Sequence, residues 1–306
     1  MRTTGFLLFR LNFVDRQDLF NKPITTDADL TKVIEVAATQ EFDVPRQGSR
    51  SSYRWALRDV NLGEVAGMDR SYIEVTLSRE VTSRRGPIVT PHGITRGTST
   101  LSPPSATLVR VLIDLKRHII AVEEVPGIVQ TRTGWKSIFK LILDSAAWKL
   151  GFTSVIRLSP IVPREIIASH LESFARVTRL RVTLSIPNPD LGPSFQRLYD
   201  EMKRGGVREL TEDMRNERGL TLAPETLPQQ TLDMAMTGYR KGKIRLYGYG
   251  RDGSKDEFTI AADDVARIEI VEVRDFVEGY AAAQKTLAVK RFAEAIIKKI
   301  DENLNR

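Results

Sequence analysis

The sequence predicts an α+β protein of mixed, mostly antiparallel sheet elements with several packed helices, in one or two lobes. Three observations carry this. Between Arg164 and Asp190 the apolar spacing switches from helical to alternating. Two pairs of β-rich runs, 108–122 and 243–260, are separated by short polar turns. Two further segments, 72–81 and 267–273, alternate apolar and polar residues, as strands with one wet face do. The organisation expected is a β-rich lobe over residues 1–190 that carries a basic helix-strand unit. A second lobe over 191–306 would hold a helix, a β-hairpin and the C-terminal helix.

Taken in order, Gly5–Val14 reads as an opening strand and Asp29–Thr39 as a short helix with Leu30, Val33, Ile34 and Ala37 inward. Strands come next at Tyr53–Leu62 and Tyr72–Val81. Residues 83–105 hold Pro87, Pro91, Pro103, Pro104 and several glycines and read as a long loop, whose Arg84, Arg85 and Arg96 could meet phosphates but read first as solvated. Leu108–Leu115 and Ile119–Val122 form a hairpin turning at Lys116-Arg117-His118. A helix over 135–150 places Ile138, Phe139, Ile142, Ala146 and Leu150 on one stripe, with Thr133 as its cap. Val155–Leu158 is a short buried strand.

Pro163 then opens a helix in which Ile166, Ile167, His170, Leu171 and Phe174 share a face. It feeds a strand in which Leu180, Val182, Leu184 and Ile186 alternate with polar residues until Pro187 and Pro189 stop it. Residues 194–218 read as a charged helix broken at Gly205-Gly206, and 219–230 as a connector. A hairpin pairs 243–249 with 257–260 across Asp252-Gly253, and a helix over 281–304 closes the chain with Val289, Phe292, Ile296, Ile300 and Leu304 aligned.

Charge narrows the function classes. The chain of 306 residues carries a formal net charge of +7. Residues 106–189 concentrate the excess, with 12 basic against 6 acidic side chains. Such a field attracts polyanions, nucleic acid above all. Cysteine is absent, which removes thiolate chemistry and disulfides and fits a reducing cytoplasm, the compartment expected. No apolar run approaches ~20 residues, and the first residues read as a strand and not as a leader.

Few motifs carry chemistry. Gly248, Gly250 and Gly253 spell G-x-G-x-x-G, but within a hairpin, where no helix N-terminus comes after them to meet a pyrophosphate; they read as turn and bulge residues. The histidines, His92, His118 and His170, have no ligand-spaced partners, so no metal site and no cofactor is expected. Asp114 and Lys116 match the D-x-K half of a metal-dependent nuclease site and are the catalytic residues of an alternative reading. Basic residues interleaved with aromatics are better represented. Arg240, Lys241, Lys243 and Arg245 run beside Tyr239, Tyr247 and Tyr249, a composition suited to phosphates and stacked bases. Arg176, Arg179 and Arg181 crowd the helix-to-strand junction, and Lys116, Arg117, Lys136 and Lys140 are expected to extend the same field.

The run IIAVEEVPG, a helix, VIRLSPIVP, the helix from Arg164, then RLRVTLSIPNPD and a charged segment resembles in layout the RexA-type phage-exclusion proteins of lambdoid phages and related uncharacterised bacterial and prophage proteins. The resemblance covers residues 108–218. It implies a homodimer that binds duplex DNA with little sequence preference, acts in defence against phage and works with a membrane-protein partner. The expected function is therefore non-enzymatic, sequence-tolerant binding of nucleic acid, DNA ahead of RNA. The alternatives are a metal-dependent nuclease of a defence system and a protein-interaction module of one.

Overall fold

A computed structural model describes residues 2–15, 22–65, 67–129, 134–185, 200–202, 204–261, 264–272 and 282–305. Strands and helices coexist in two antiparallel sheets, an α+β architecture.

The first sheet is built around β1 (Arg2–Asp15). Its run Gly5-Phe6-Leu7-Leu8-Phe9 does not alternate because both faces are covered: Phe6 and Leu8 enter one core, Phe9 and Leu11 another. Its sheet neighbours are β2 (Val44–Gln47), β3 (Ser51–Glu64), β4 (Ser71–Thr90), β5 (Gly93–Asp114), β6 (Ile119–Glu123), β7 (Ser154–Pro160) and β12 (Arg267–Glu272). The order is β12-β1-β6-β5-β4-β3-β2, with β7 continuing the β12 edge of β1. One face is covered by α1 (Asp27–Ala37) and α2 (Gly134–Lys149), whose expected stripes are buried from Leu30 to Ala37 and from Ile138 to Ala146. The other face is covered by α5 (Ala282–Asn305), through Val289, Phe292, Ile296 and Ile300.

The second sheet has the order β11-β10-β8-β9, from β8 (Phe174–Ser185), β9 (Glu209–Arg215), β10 (Ile244–Gly250) and β11 (Lys255–Ile260). Leu180, Val182, Leu184, Ile244 and Leu246 face a core closed by α3 (Arg164–Ser173) and α4 (Leu227–Met234), with a π-turn over Ala235–Tyr239 after α4.

Several expectations are corrected. The chain passes from the first sheet to the second between β7 and β8 and returns to the first at β12. The helix from Arg164 stops at Ser173; Phe174 is already extended, and of the expected stripe within α3 only Ile167 is fully buried. Residues 209–215 form a strand, not a helix, because Leu210, Glu212 and Met214 alternate with more exposed side chains along an edge. Residues 83–105 are not a loop: β4 and β5 pair through Ser83↔Thr100 out to Thr90↔Gly93. The helix over 227–234 lies partly inside the expected connector. Thr133, Ile186, Pro187 and Pro189 fall outside the described residues.

The two sheets meet at a buried polar seam. Arg10, 5% exposed, donates through Nε to the Thr237 carbonyl and through Nη1 to the Arg117 carbonyl, both at 2.6 Å. Its guanidinium lies 4.4 Å from the Tyr239 ring centroid. Asn12 donates to the Gly238 carbonyl at 3.0 Å. Gly238 has φ +94°, and a Cβ there would lie 2.6 Å from that of Arg10, so the seam requires glycine.

Candidate nucleic-acid interface

The outer face of the second sheet is set by the period of two. With Leu180 and Val182 inward, Arg179, Arg181 and Thr183 turn outward on β8; with Ile244 and Leu246 inward, Lys243, Arg245 and Tyr247 do so on β10. Register joins them: Arg181 stands opposite Arg245, and Arg179 opposite Tyr247. The register of β8 against β10 shifts at Tyr247/Gly248 and Tyr249/Gly250, which brings Tyr249 beside Arg176. A Cβ on Gly248 would lie 2.2 Å from the Arg176 carbonyl oxygen, so this close approach needs the glycine. Gly253, at φ +80°, makes the β10–β11 turn.

Electrostatics sort these cations. Arg179 is occupied: Nε and Nη2 both donate to the Asp213 carboxylate at 2.7 Å, and its guanidinium lies 5.0 Å from the Tyr247 centroid. Arg215 shares the same carboxylate. Hydrogen bonds from Arg179 and Arg215 hold Asp213 well below the usual carboxylate range. Lys241 is tethered to Glu209 at 2.6 and 2.7 Å. Arg176 rests over Tyr249, 4.5 Å from its centroid. Arg181, Lys243 and Arg245 are exposed, and none has an acidic partner among the described residues. They line, with Thr183 and Lys241, an open cleft of about 270 Å³. Like charges directly opposite across a strand pair destabilise a sheet. On its other side Arg181 stands opposite Asp213, a carboxylate already held by Arg179 and Arg215, and an arginine fork bonds two phosphate oxygens at once.

The structure brings Arg176, Arg179, Arg181, Lys241, Lys243 and Arg245 onto one face and leaves the other expected contacts elsewhere. Arg240 lies apart from that face, 3% exposed and buried near the seam. Lys116, Arg117, Lys136 and Lys140 belong to the first sheet and its helices. Lys116 pairs with Asp69 at 3.0 Å, Arg117 with Asp301, and Lys140 with Asp144, while Lys136 covers the Phe9 ring. They do not extend the cleft. Sequence reading missed Arg215; the alternation in Glu209–Arg215 was the signal that could have found it.

Among the described residues Asp114 and Lys116 of the D-x-K pair turn to different partners. Asp114 is fully buried, with Arg70 at 3.1 Å and the Arg117 N–H at 3.3 Å, and Asp301 draws on the same two arginines. Burial pushes the Asp114 carboxyl up, partly offset by Arg70 and Arg117. No cluster of three metal-ligating side chains occurs among the described residues. Asp114 is thus an internal counter-ion of a four-membered network, and Lys116 points away to Asp69.

Among the described residues no helix is long and apolar enough to cross a membrane. No curated protein matches the chain. A family model does: residues 101–289, more than half of the chain, match the one described as Domain of unknown function (DUF4747). The matched span contains both the seam residues of the π-turn and the whole cationic face.

Proposed function

We propose that this chain, which belongs to the DUF4747 family, is a non-enzymatic nucleic-acid-binding protein that seats a phosphate backbone on the outer face of its second sheet. One observation carries the reading: Arg181, Lys243 and Arg245 converge on an open cleft without acidic partners among the described residues. The cleft lies on regular strands, so its cations are held at fixed spacing before a ligand arrives. Arg176–Tyr249 and Arg179–Tyr247 flank it, adding aromatic faces beside guanidinium groups. Phosphate contacts carry no base information, so binding would be sequence-tolerant. Duplex DNA as ligand, a role in phage exclusion, a homodimeric state and a membrane-protein partner are further parts of the proposal. They are supported by the resemblance over residues 108–218.

Electrophoretic shift of random-sequence duplex DNA by the full-length protein tests this. A shift at low salt that weakens steeply at moderate salt is expected, because neutralised phosphates release counterions. Absence of a shift at low salt would remove the reading.

A further inference from the structure

The β4–β5 ribbon leaves the first sheet. β3 accompanies β4 only as far as Arg84, with one more hydrogen bond from the Arg85 N–H to the Arg50 carbonyl. β6 accompanies β5 only over Val111–Asp114. From Gly86 to Gly97 the two strands have only each other among the described residues, an arm of about 17 Å with Arg85 at its base. At its base Val81 pairs with Ser105 and Ser83 with Thr100, so the extra residues of β5, including Pro103 and Pro104, form a large bulge. Bulges bend a strand and re-aim the residues beyond the bend.

Charge and shape are both unusual. No acidic residue occurs between Glu80 and Asp114, while Arg84, Arg85 and Arg96 are all exposed on the arm. Register assigns its faces. Arg85, Pro87 and Val89 share one face with Thr98, Arg96 and Ile94; the opposite face has Gly86 directly across from Gly97, with the Ile88 side chain lying over Gly97. Val89 and Ile94 stand opposite each other near the tip, 81% and 74% exposed. Two arginines thus sit behind an apolar tip on a single face, with no core to explain either.

We infer that this arm enters the major groove of duplex DNA, with Arg85 and Arg96 on phosphates or base edges and the Val89–Ile94 pair against the groove floor. The absence of acid along the arm selects a polyanion. A two-stranded ribbon with its side chains is about 10 Å thick, which fits a major groove of about 12 Å and not a minor groove of about 6 Å. Apolar side chains have partners there in thymine methyl groups. Pro87 has no N–H and blocks strand addition along the β4 edge, which argues against a second copy as occupant of that edge. The inference takes its ligand class from the nucleic-acid reading of the second sheet but rests on different residues.

Dimethyl sulfate footprinting of random duplex DNA reads the groove directly, since guanine N7 lies in the major groove. The full-length protein is compared with Arg85→Ser/Arg96→Ser, with Val89→Ser/Ile94→Ser and with Arg181→Glu/Arg245→Glu. All arm positions lie outside the hydrophobic cores, so melting temperatures should not change. The wild type should protect guanine N7, and both arm variants should lose that protection. The arginine variant should also lower the salt slope by about two, and the apolar variant should leave the slope unchanged. Protection retained in both arm variants would overturn the inference while leaving the sheet reading intact. Protection that depends on the arm, with unaltered affinity in Arg181→Glu/Arg245→Glu, would remove the sheet reading and keep the arm. No duplex binding by the wild type overturns both. Tip-dependent binding to anionic phosphatidylserine vesicles without guanine protection, or arm-dependent dimerisation without it, would assign the arm to a membrane or to a second copy and also overturn the inference.

Discussion

Arg179 and Arg181 stand two residues apart on one strand face, yet their neighbours give them different roles. Arg179 is locked to Asp213 by two parallel hydrogen bonds, whereas Arg181 faces Arg245 and the cleft. Asp213→Asn should release Arg179 and Arg215 to the ligand. The expected outcome is tighter duplex binding and a salt slope steeper by about one unit, measured by fluorescence anisotropy. Because its two arginines hold the Asp213 carboxyl well below the usual range, mild acidification should not mimic the substitution. Asp114 behaves in the opposite sense. Burial raises its folded pKa above the ordinary value of 3.8, so the folded state holds the proton more firmly than the unfolded chain does. Its contribution is present below that value and is lost as pH rises through the raised folded pKa. Urea melts from pH 4 to 7 should show wild type losing stability relative to Asp114→Asn as pH rises; a pH-independent difference would contradict this assignment.

At the scale of elements, period decided what could be read in advance. Leu180, Val182 and Leu184 alternate cleanly, and α5 keeps Val289, Phe292, Ile296 and Ile300 on one stripe, so both were legible. The junction at Phe174 was not, because that residue fits either period: it continues the helical stripe from Leu171 and also opens β8. β9 was obscured because its charged residues suit a solvated helix as well as an exposed edge strand. The arm was hidden by its glycines and prolines, which usually signal loops; here Pro87 sits on a free edge, where no ladder hydrogen bond is lost. For α5 the expected cost of a cavity is direct. Phe292 packs 5.5 Å from the Phe6 ring and 4.6 Å from the Arg110 guanidinium. Phe292→Ala should destabilise the protein by about 3–5 kcal/mol in denaturant unfolding.

At the scale of the whole molecule, the second sheet is tied to the first through Arg10, Asn12 and the π-turn, with Arg157 also reaching Ser185 at 2.8 Å. Arg10 interrupts the apolar run of β1, and its role is legible only from the Thr237 and Arg117 carbonyls, which come from distant parts of the chain. Arg10→Ala should leave both carbonyls without that donor and cost about 3 kcal/mol, read in thermal melts and denaturant unfolding. Of the cationic face, Arg176, Arg179 and Arg181 and the Lys241–Arg245 stretch were visible as two separate clusters; the pairing of β8 with β10 that merges them was not, since long-range pairing leaves no local signature. The central claim is that this merged face holds the phosphate backbone. The salt dependence of duplex DNA affinity, compared between wild type and Arg181→Glu/Arg245→Glu, tests it most directly. The account predicts much weaker binding by the variant to all sequences alike, with a salt slope lower by about two units and an unchanged melting temperature. A folded variant with wild-type affinity and slope would contradict it.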